Sequence, residues 1–181
     1  MSAADLIAPG FYGKLPAAGD FVSRRLPADF VRAWDRWVAQ HLAPLLESDI
    51  WSERVGLRFL LGPAALGPMA GLVLPSADRV GRRFPLTVAA PTLLATTGFA
   101  ASAASWFAAL HEAAEPAQRG EINADEFAAE LALLPFPSAD AEGETVRGMI
   151  FWTDPLELLH VDTDAPRAAL EHLLAASQET S

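Results

Sequence analysis

Two stretches of this chain carry no charge at all, residues 59–77 and residues 84–110. They constrain its fold more than any other feature. Each is long enough to cross a bilayer as a single helix. The first, however, contains Pro63, Pro68 and Pro75 with Gly62, Gly67 and Gly71. The second contains Pro85, Pro91 and Gly98, and its latter half is mostly Ala and Ser. Lipid demands an unbroken ladder of backbone hydrogen bonds, and these residues break it where strands would turn. The runs therefore read as buried strands joined by tight loops, over 56–61, 70–74 and 84–90, each bounded by Gly or Pro. Their apolarity is continuous rather than alternating, which predicts helices covering both faces of the sheet.

The helices show in the period of the apolar residues. Leu26-Pro27 opens the first, with proline in the turn where its missing N–H costs nothing. Phe30, Val31, Trp34, Trp37, Val38, His41 and Leu42 then share one face, while Asp29, Arg32, Arg36 and Gln40 take the other. Pro44 is expected to stop or kink it. Residues 102–114 form an Ala-rich helix with Trp106, Phe107 and Leu110 on its buried stripe. Asn123 followed by Glu126 has the pattern of a capping box, opening a helix that presents Phe127 and Leu131 and ends by Pro135. Residues 146–152 and 156–161 read as a hairpin turning at 153–155, and Asp164-Ala165-Pro166 starts a last helix to about Ala176. The acidic, turn-rich stretch 137–144 is expected to be a mobile loop. A short tail precedes a brief strand at 10–15. The expected architecture is one α/β domain over 1–176, a three-layer α/β/α sandwich with a mixed central sheet, followed by a disordered tail at 177–181.

Length and composition agree with one core: 181 residues, of which 51% are hydrophobic, in a size range where folding buries about 70% of the unfolded surface. The net charge of −10 is unevenly spread, at +2 for residues 1–90 and −12 for residues 91–181. Such a chain makes a poor binder of nucleic acid or of an anionic membrane, both of which need clustered positive charge. Direct membrane insertion is not expected. Cysteine is absent, which removes thiol nucleophiles, disulfides, iron–sulfur clusters and thiolate zinc sites. Met1-Ser2-Ala3-Ala4-Asp5 lacks the basic and apolar regions of a signal peptide.

Catalytic patterns are equally scarce. His41, His111, His160 and His172 do not pair at metal-ligand spacing. Asp162 and Asp164 alternate like cation ligands, but the glycine and terminal glutamate of a calcium loop are missing; a strand-end turn and a helix cap fit better. There is no Gly-x-Ser-x-Gly elbow, phosphate-binding loop or dinucleotide fingerprint. His111 beside Glu112 reads as a solvated helix end. The expectation is a protein without catalytic residues, metal or cofactor.

Two polar blocks stand out against this background. One runs from Lys14 through Gly19, Asp20 and Phe21 to Arg24 and Arg25; the other from Pro75 through Asp78, Arg79, Gly81, Arg82 and Arg83 to Leu86. With nearby Arg32 they hold seven of the thirteen basic residues. Two readings stand. In one, Asp20 and Asp78 are internal partners of the arginines, locking two loops against the sheet. Alternatively Lys14, Arg24, Arg79, Arg82 and Arg83 present an edge to an acidic or phosphorylated partner. Charge reversal at Arg82 and Arg83 separates them: lost binding with an unchanged melting temperature marks a docking edge, and collapse of stability marks a lock. An enzyme built on these loops would have to draw on Ser23, Ser76 or Asp78.

These blocks also carry a family resemblance. Gly10-Phe-Tyr-Gly-Lys-Leu-Pro with Gly19-Asp20-Phe21, Arg24, Leu26-Pro27 and Trp34-Asp35-x-Trp37 resembles the opening of the type VI secretion-associated family TagF, also called ImpM. Pro75-Ser-x-Asp78-Arg79-Val-Gly81-Arg82-x-Phe84-Pro85-Leu86 is similar to its second signature, and Phe151-Trp152-Thr153 to its aromatic C-terminal strand. The likeness is strong over about the first ninety residues and looser beyond. Between Trp51 and Arg58 the chain is shorter than the family pattern, with Val55-Gly56-Leu57 where an aromatic segment is common. The phosphatase domain fused to some relatives has no room here, so a stand-alone form is expected. The resemblance implies a three-layer α/β/α fold and a cytoplasmic, post-translational repressor of type VI secretion. In that family repression acts through the forkhead-associated scaffold protein Fha, on a route separate from threonine phosphorylation. A structural subunit of the apparatus is the remaining alternative.

Overall fold

The structure, a computed structural model, describes residues 8–92, 95–137, 142–154 and 157–179. The chain opens with β1 (Gly10–Gly13) and β2 (Val22–Arg24), then α1 (Ala28–His41) and α2 (Ala43–Glu47). Strands β3 (Leu57–Leu61), β4 (Met69–Leu74) and β5 (Leu86–Pro91) follow. Next come α3 (Phe99–Ser102), α4 (Ala104–Gln118) and α5 (Ala124–Leu131), and the chain closes with β6 (Met149–Trp152), β7 (Leu159–Val161) and α6 (Arg167–Glu179). The strands make one seven-stranded sheet in the order β2-β1-β5-β4-β3-β6-β7.

The uncharged runs form the middle of that sheet, as β3, β4 and β5, with every residue of β4 buried. Successive side chains leave opposite faces, and both faces are covered. Leu60, Leu72, Val88 and Ile150 pack under α3, α4 and α5 with Phe107 and Phe127. Phe59, Leu61, Val73 and Phe151 pack under α1, α2 and α6 with Trp34, Leu45 and Leu173. The expected three layers and single α/β domain are therefore present. At Gly71 the backbone of β5 comes so close that a Cβ would stand 2.1 Å from the Val88 carbonyl oxygen, so no side chain fits there.

The sheet is antiparallel at every pairing, which corrects the mixed sheet read from sequence. Continuous apolarity reports burial of both faces and is blind to strand direction. Direction follows from the connections: β3 to β4, β4 to β5 and β6 to β7 reverse through loops into neighbouring strands, the last being the expected hairpin. The helical crossovers join β2 to β3 and β5 to β6, which are not neighbours.

Local signals set most element ends. Helix α1 stops at His41, near Pro44 as expected; Leu42 closes it, and Pro44 sits in the first turn of α2. On α1 the apolar stripe buries Phe30, Trp34, Trp37 and Val38. Trp34 and Trp37 stack at 5.2 Å between centroids, and Trp37 stacks on Phe151 at 5.7 Å. The capping box of α5 is formed: Glu126 N–H donates to Asn123 Oδ1 at 2.9 Å and Asn123 N–H to Glu126 Oε1 at 3.2 Å. Helix α4 runs past its expected end to Gln118, through Pro116, so His111 lies mid-helix and not at a solvated terminus. Helix α6 likewise continues to Glu179, and Ser177 is buried with its hydroxyl donating to the Leu173 carbonyl oxygen at 2.8 Å. The disordered tail read for 177–181 is thus helical over 177–179; residues 180–181, the first five residues, and 138–141 of the expected mobile loop lie outside the described residues.

Candidate interaction site

The segment between β4 and β5 folds back on itself. Ala77 bridges Arg83, and Phe84 N–H donates to the Ser76 carbonyl at 3.0 Å. Asp78 closes the tip, its N–H donating to Arg82 O at 3.1 Å and its carbonyl accepting from Gly81 N–H at 3.0 Å. Gly81 takes φ +85° there, in the left-handed region where a side chain is strained.

The carboxylate of Asp78 holds this tip together. It is 3% exposed. Oδ1 accepts from Val80 N–H at 3.1 Å and Arg82 N–H at 2.9 Å. Oδ2 accepts from Arg82 Nε at 2.7 Å and lies 3.4 Å from Lys14 Nζ. Burial alone would raise the carboxyl pKa, but hydrogen bonds from the Arg82 backbone and side chain, from Lys14 and from Val80 outweigh it and hold it at about 2.

The first block docks onto this tip. Arg79 donates from its backbone to Ala18 O and from Nη2 to Ala17 O, both at 2.9 Å. Arg82 Nη2 donates to Gly19 O at 3.1 Å, and Ser76 Oγ donates to Lys14 O at 2.7 Å. Lys14, Asp78, Arg79 and Arg82 thus form one network joining blocks some sixty residues apart in sequence, with the contacts expected of a loop lock.

The remaining predicted residues stand apart from it. Asp20 is exposed and accepts only from Phe21 N–H, at 2.7 Å, among the described residues. Among the described residues it pairs with no arginine: the guanidinium groups of Arg79 and Arg82 donate to the carbonyls of Ala17 and Gly19 instead. Arg24 points to helix α5, where Nη2 meets Asp125 Oδ1 at 3.2 Å. Arg83 reaches Asp49 at 3.1 Å. These exposed pairs are worth about 0–1 kcal/mol each.

Sequence reasoning missed the apolar part of the site. Phe21 is 44% exposed and Val80 73% exposed, one on each block. Phe21 stacks on Tyr12 at 5.8 Å and meets the edge of Phe84 at 4.9 Å, with Lys14 Nζ 5.1 Å above its ring. Tyr12 is fixed from behind by donating to Asp35; burial first, and then Asp35, push its pKa up. A large apolar residue directly after the Gly19-Asp20 turn is the signal that could have revealed Phe21.

Beside the lock lies a cleft of about 260 Å³ lined by Pro16, Pro75, Ser76, Arg83, Gln118 and Arg119, among others. Its guanidinium groups are committed, Arg83 to Asp49 and Arg119 to Glu115 and Glu121. Among the described residues, no group of three or more His, Asp or Glu is placed to hold a metal ion. Asp162 makes a strand-end turn, accepting from Asp164 N–H at 2.9 Å. No described helix is long and apolar enough to cross a membrane.

A single antiparallel sheet between two helical layers, with two distant loops locked at one end, defines a class with a solved representative. The crystal structure of PA0076 from Pseudomonas aeruginosa PAO1 at 2.05 Å resolution matches with a TM-score of 0.60 and 32% identity, over 95% of this chain and 77% of that one. The profile of the TagF N-terminal domain, described as type VI secretion system-associated, matches residues 10–134. The chain belongs to this family and is a type VI secretion-associated protein. The match runs well past the two blocks and takes in α4 and α5. No curated protein sequence matches the chain.

Proposed function

We propose that this protein is a non-enzymatic cytoplasmic regulator that represses type VI secretion after translation by binding the forkhead-associated scaffold protein Fha. The observation that carries the reading is the pairing of exposed Phe21 and Val80 on two loops held rigid by the buried Asp78 network. Aromatic and arginine side chains are enriched among the anchors of protein interfaces, and Arg82 here keeps 63% of its side chain exposed while bonded to Asp78. Loops already ordered lose little conformational entropy when a partner docks. Family membership supports the secretion context.

An enzyme of small-molecule or phosphoryl chemistry on the same loops has less to work with. Ser76 Oγ already donates to Lys14 O, and the Asp78 carboxylate is spent on its donors. A structural subunit is distinguished by stoichiometry, since a repressor binds reversibly and below the copy number of the apparatus.

The test uses the exposed side chains, since Arg82 is part of the lock. Val80→Glu and Phe21→Ser are expected to abolish capture of the scaffold and to release secretion when the variant replaces the wild type. Val80→Glu leaves the melting temperature within a degree or two, as surface changes stay within about 0.5 kcal/mol. Full binding and full repression by both variants overturn the reading.

A further inference from the structure

Ten of the twelve glycines have a reason inside the fold. Five would set a Cβ against a backbone oxygen, four others take a left-handed φ, and Gly56 packs against the His111 ring. Gly19 and Gly148 meet none of these constraints. Nothing lies within 4 Å of where their Cβ would stand, and φ at both is outside the left-handed region. A glycine that the fold does not need brings only its entropic cost, which alanine at a compatible position removes.

The two differ in their surroundings. Gly148 is partly buried just before β6, where its carbonyl accepts from Gly62 N–H at 2.8 Å. Gly19 is exposed, in the first of the two locked loops. Its carbonyl accepts from Arg82 Nη2 at 3.1 Å, and the Ala18 carbonyl before it accepts from Arg79 N–H at 2.9 Å. After it, the Asp20 carboxylate turns back onto Phe21 N–H. Phe21 then meets the edge of Phe84, at the foot of the folded-back segment whose tip carries Val80. Gly19 is thus held rigidly in the stretch that joins exposed Phe21 to the tip bearing exposed Val80, with open space above it.

Protein interfaces combine an apolar centre with a polar rim. Phe21 and Val80 supply the apolar part here, and exposed Asp20, Arg79 and Arg82 flank it with both signs of charge. Mixed charge favours neither a free anion nor a free cation, so this surface fits another protein. A bare glycine at its middle lets a neighbouring chain reach the main chain itself. Any larger residue would hold that chain off.

We propose that Gly19 is the point of closest approach of the scaffold, where an apolar side chain of the partner rests on the Gly19 main chain between Phe21 and Val80. This inference rests on the scaffold-binding reading above and adds the residue that sets the fit.

The test titrates the scaffold with the whole protein carrying Gly19→Ala or Gly19→Gln, the second filling the open space without adding charge. Gly148→Ala is the control, a glycine equally free of the fold but away from the site. Phe21→Ser and Val80→Glu are measured alongside. Both Gly19 variants are expected to melt no lower than wild type. Affinity is expected to fall with side-chain size, by about tenfold or more for Gly19→Gln, while Gly148→Ala binds as wild type does. Wild-type binding by Gly19→Gln, with Phe21→Ser and Val80→Glu inactive, overturns this inference and leaves the scaffold reading standing. Wild-type binding by all the variants, or no binding by the wild type, overturns both. A Gly19→Ala protein that melts well below wild type, or an equal loss of binding in Gly148→Ala, also overturns the inference, because the glycine would then serve the fold or the effect would not be local.

Discussion

Trp34 lies in the first of the family-like segments and Thr87 follows directly on the second, and a buried hydrogen bond joins them. Trp34 Nε1 donates to Thr87 Oγ1 at 2.8 Å, with both residues 0–1% exposed. Thr87→Val replaces the hydroxyl by a methyl of nearly the same size, so packing is preserved and only the acceptor is lost. An orphaned buried donor costs about 1–3 kcal/mol. The added methyl returns up to about 0.8 kcal/mol, leaving a net loss centred on about 1 kcal/mol and at least about 0.2 kcal/mol. At this chain length each 1 kcal/mol lost lowers the melting temperature by about 2–4 °C. Urea denaturation followed by tryptophan fluorescence measures it, with Thr87→Ser as the control that keeps the acceptor. A cycle with Trp34→Phe isolates the pair, because the cavity left by the ring cancels and only the coupling remains. If Thr87→Val matches wild type, or the cycle is additive, the hydrogen bond does not fix α1 to the sheet.

Other expectations follow from the lock and the caps. The folded carboxyl of Asp78 sits at about 2 against an ordinary 3.8, so its contribution is complete above pH 3.8 and is lost as pH falls from there towards 2. Urea midpoints measured down that range should fall in wild type and show a shallower acid limb in Asp78→Asn. Arg82→Glu places a carboxylate beside Asp78 and should lower the melting temperature, whereas Arg83→Glu gives up only an exposed pair with Asp49 and should leave it almost unchanged. Asn123→Ala removes one half of the capping box and should cost about 0.5–2 kcal/mol by chemical denaturation. Gly71→Ala sets a Cβ 2.1 Å from a backbone oxygen and should give insoluble protein on expression.

Burial was legible in the sequence and direction was not. The uncharged runs around Leu60, Leu72 and Val88 announced a sheet covered on both faces, and the helical period placed Trp34 and Trp37 inward. Nothing in those runs encodes parallel or antiparallel pairing, which depends on how loops return the chain. In the site, Asp78 among arginines pointed to pairing, and its Asx-like hold on Val80 and Arg82 is local enough to be foreseen. That Arg79 and Arg82 would choose carbonyls of residues 17–19 over Asp20 was not, because carbonyls carry no signature in sequence.

The sheet also tapers. Its longest strands, β4 and β5, are central, and the three-residue β2 and β7 form the two borders. A border this short offers a stranger only a few unpaired backbone groups. The segments most prone to join another chain, the Val-, Leu- and Ala-rich runs, already have a neighbour on each side. A chain that is half hydrophobic thereby resists self-assembly into fibrils through its strand arrangement, and the hazard is confined to the interval before β1 and β6 close over the central three strands.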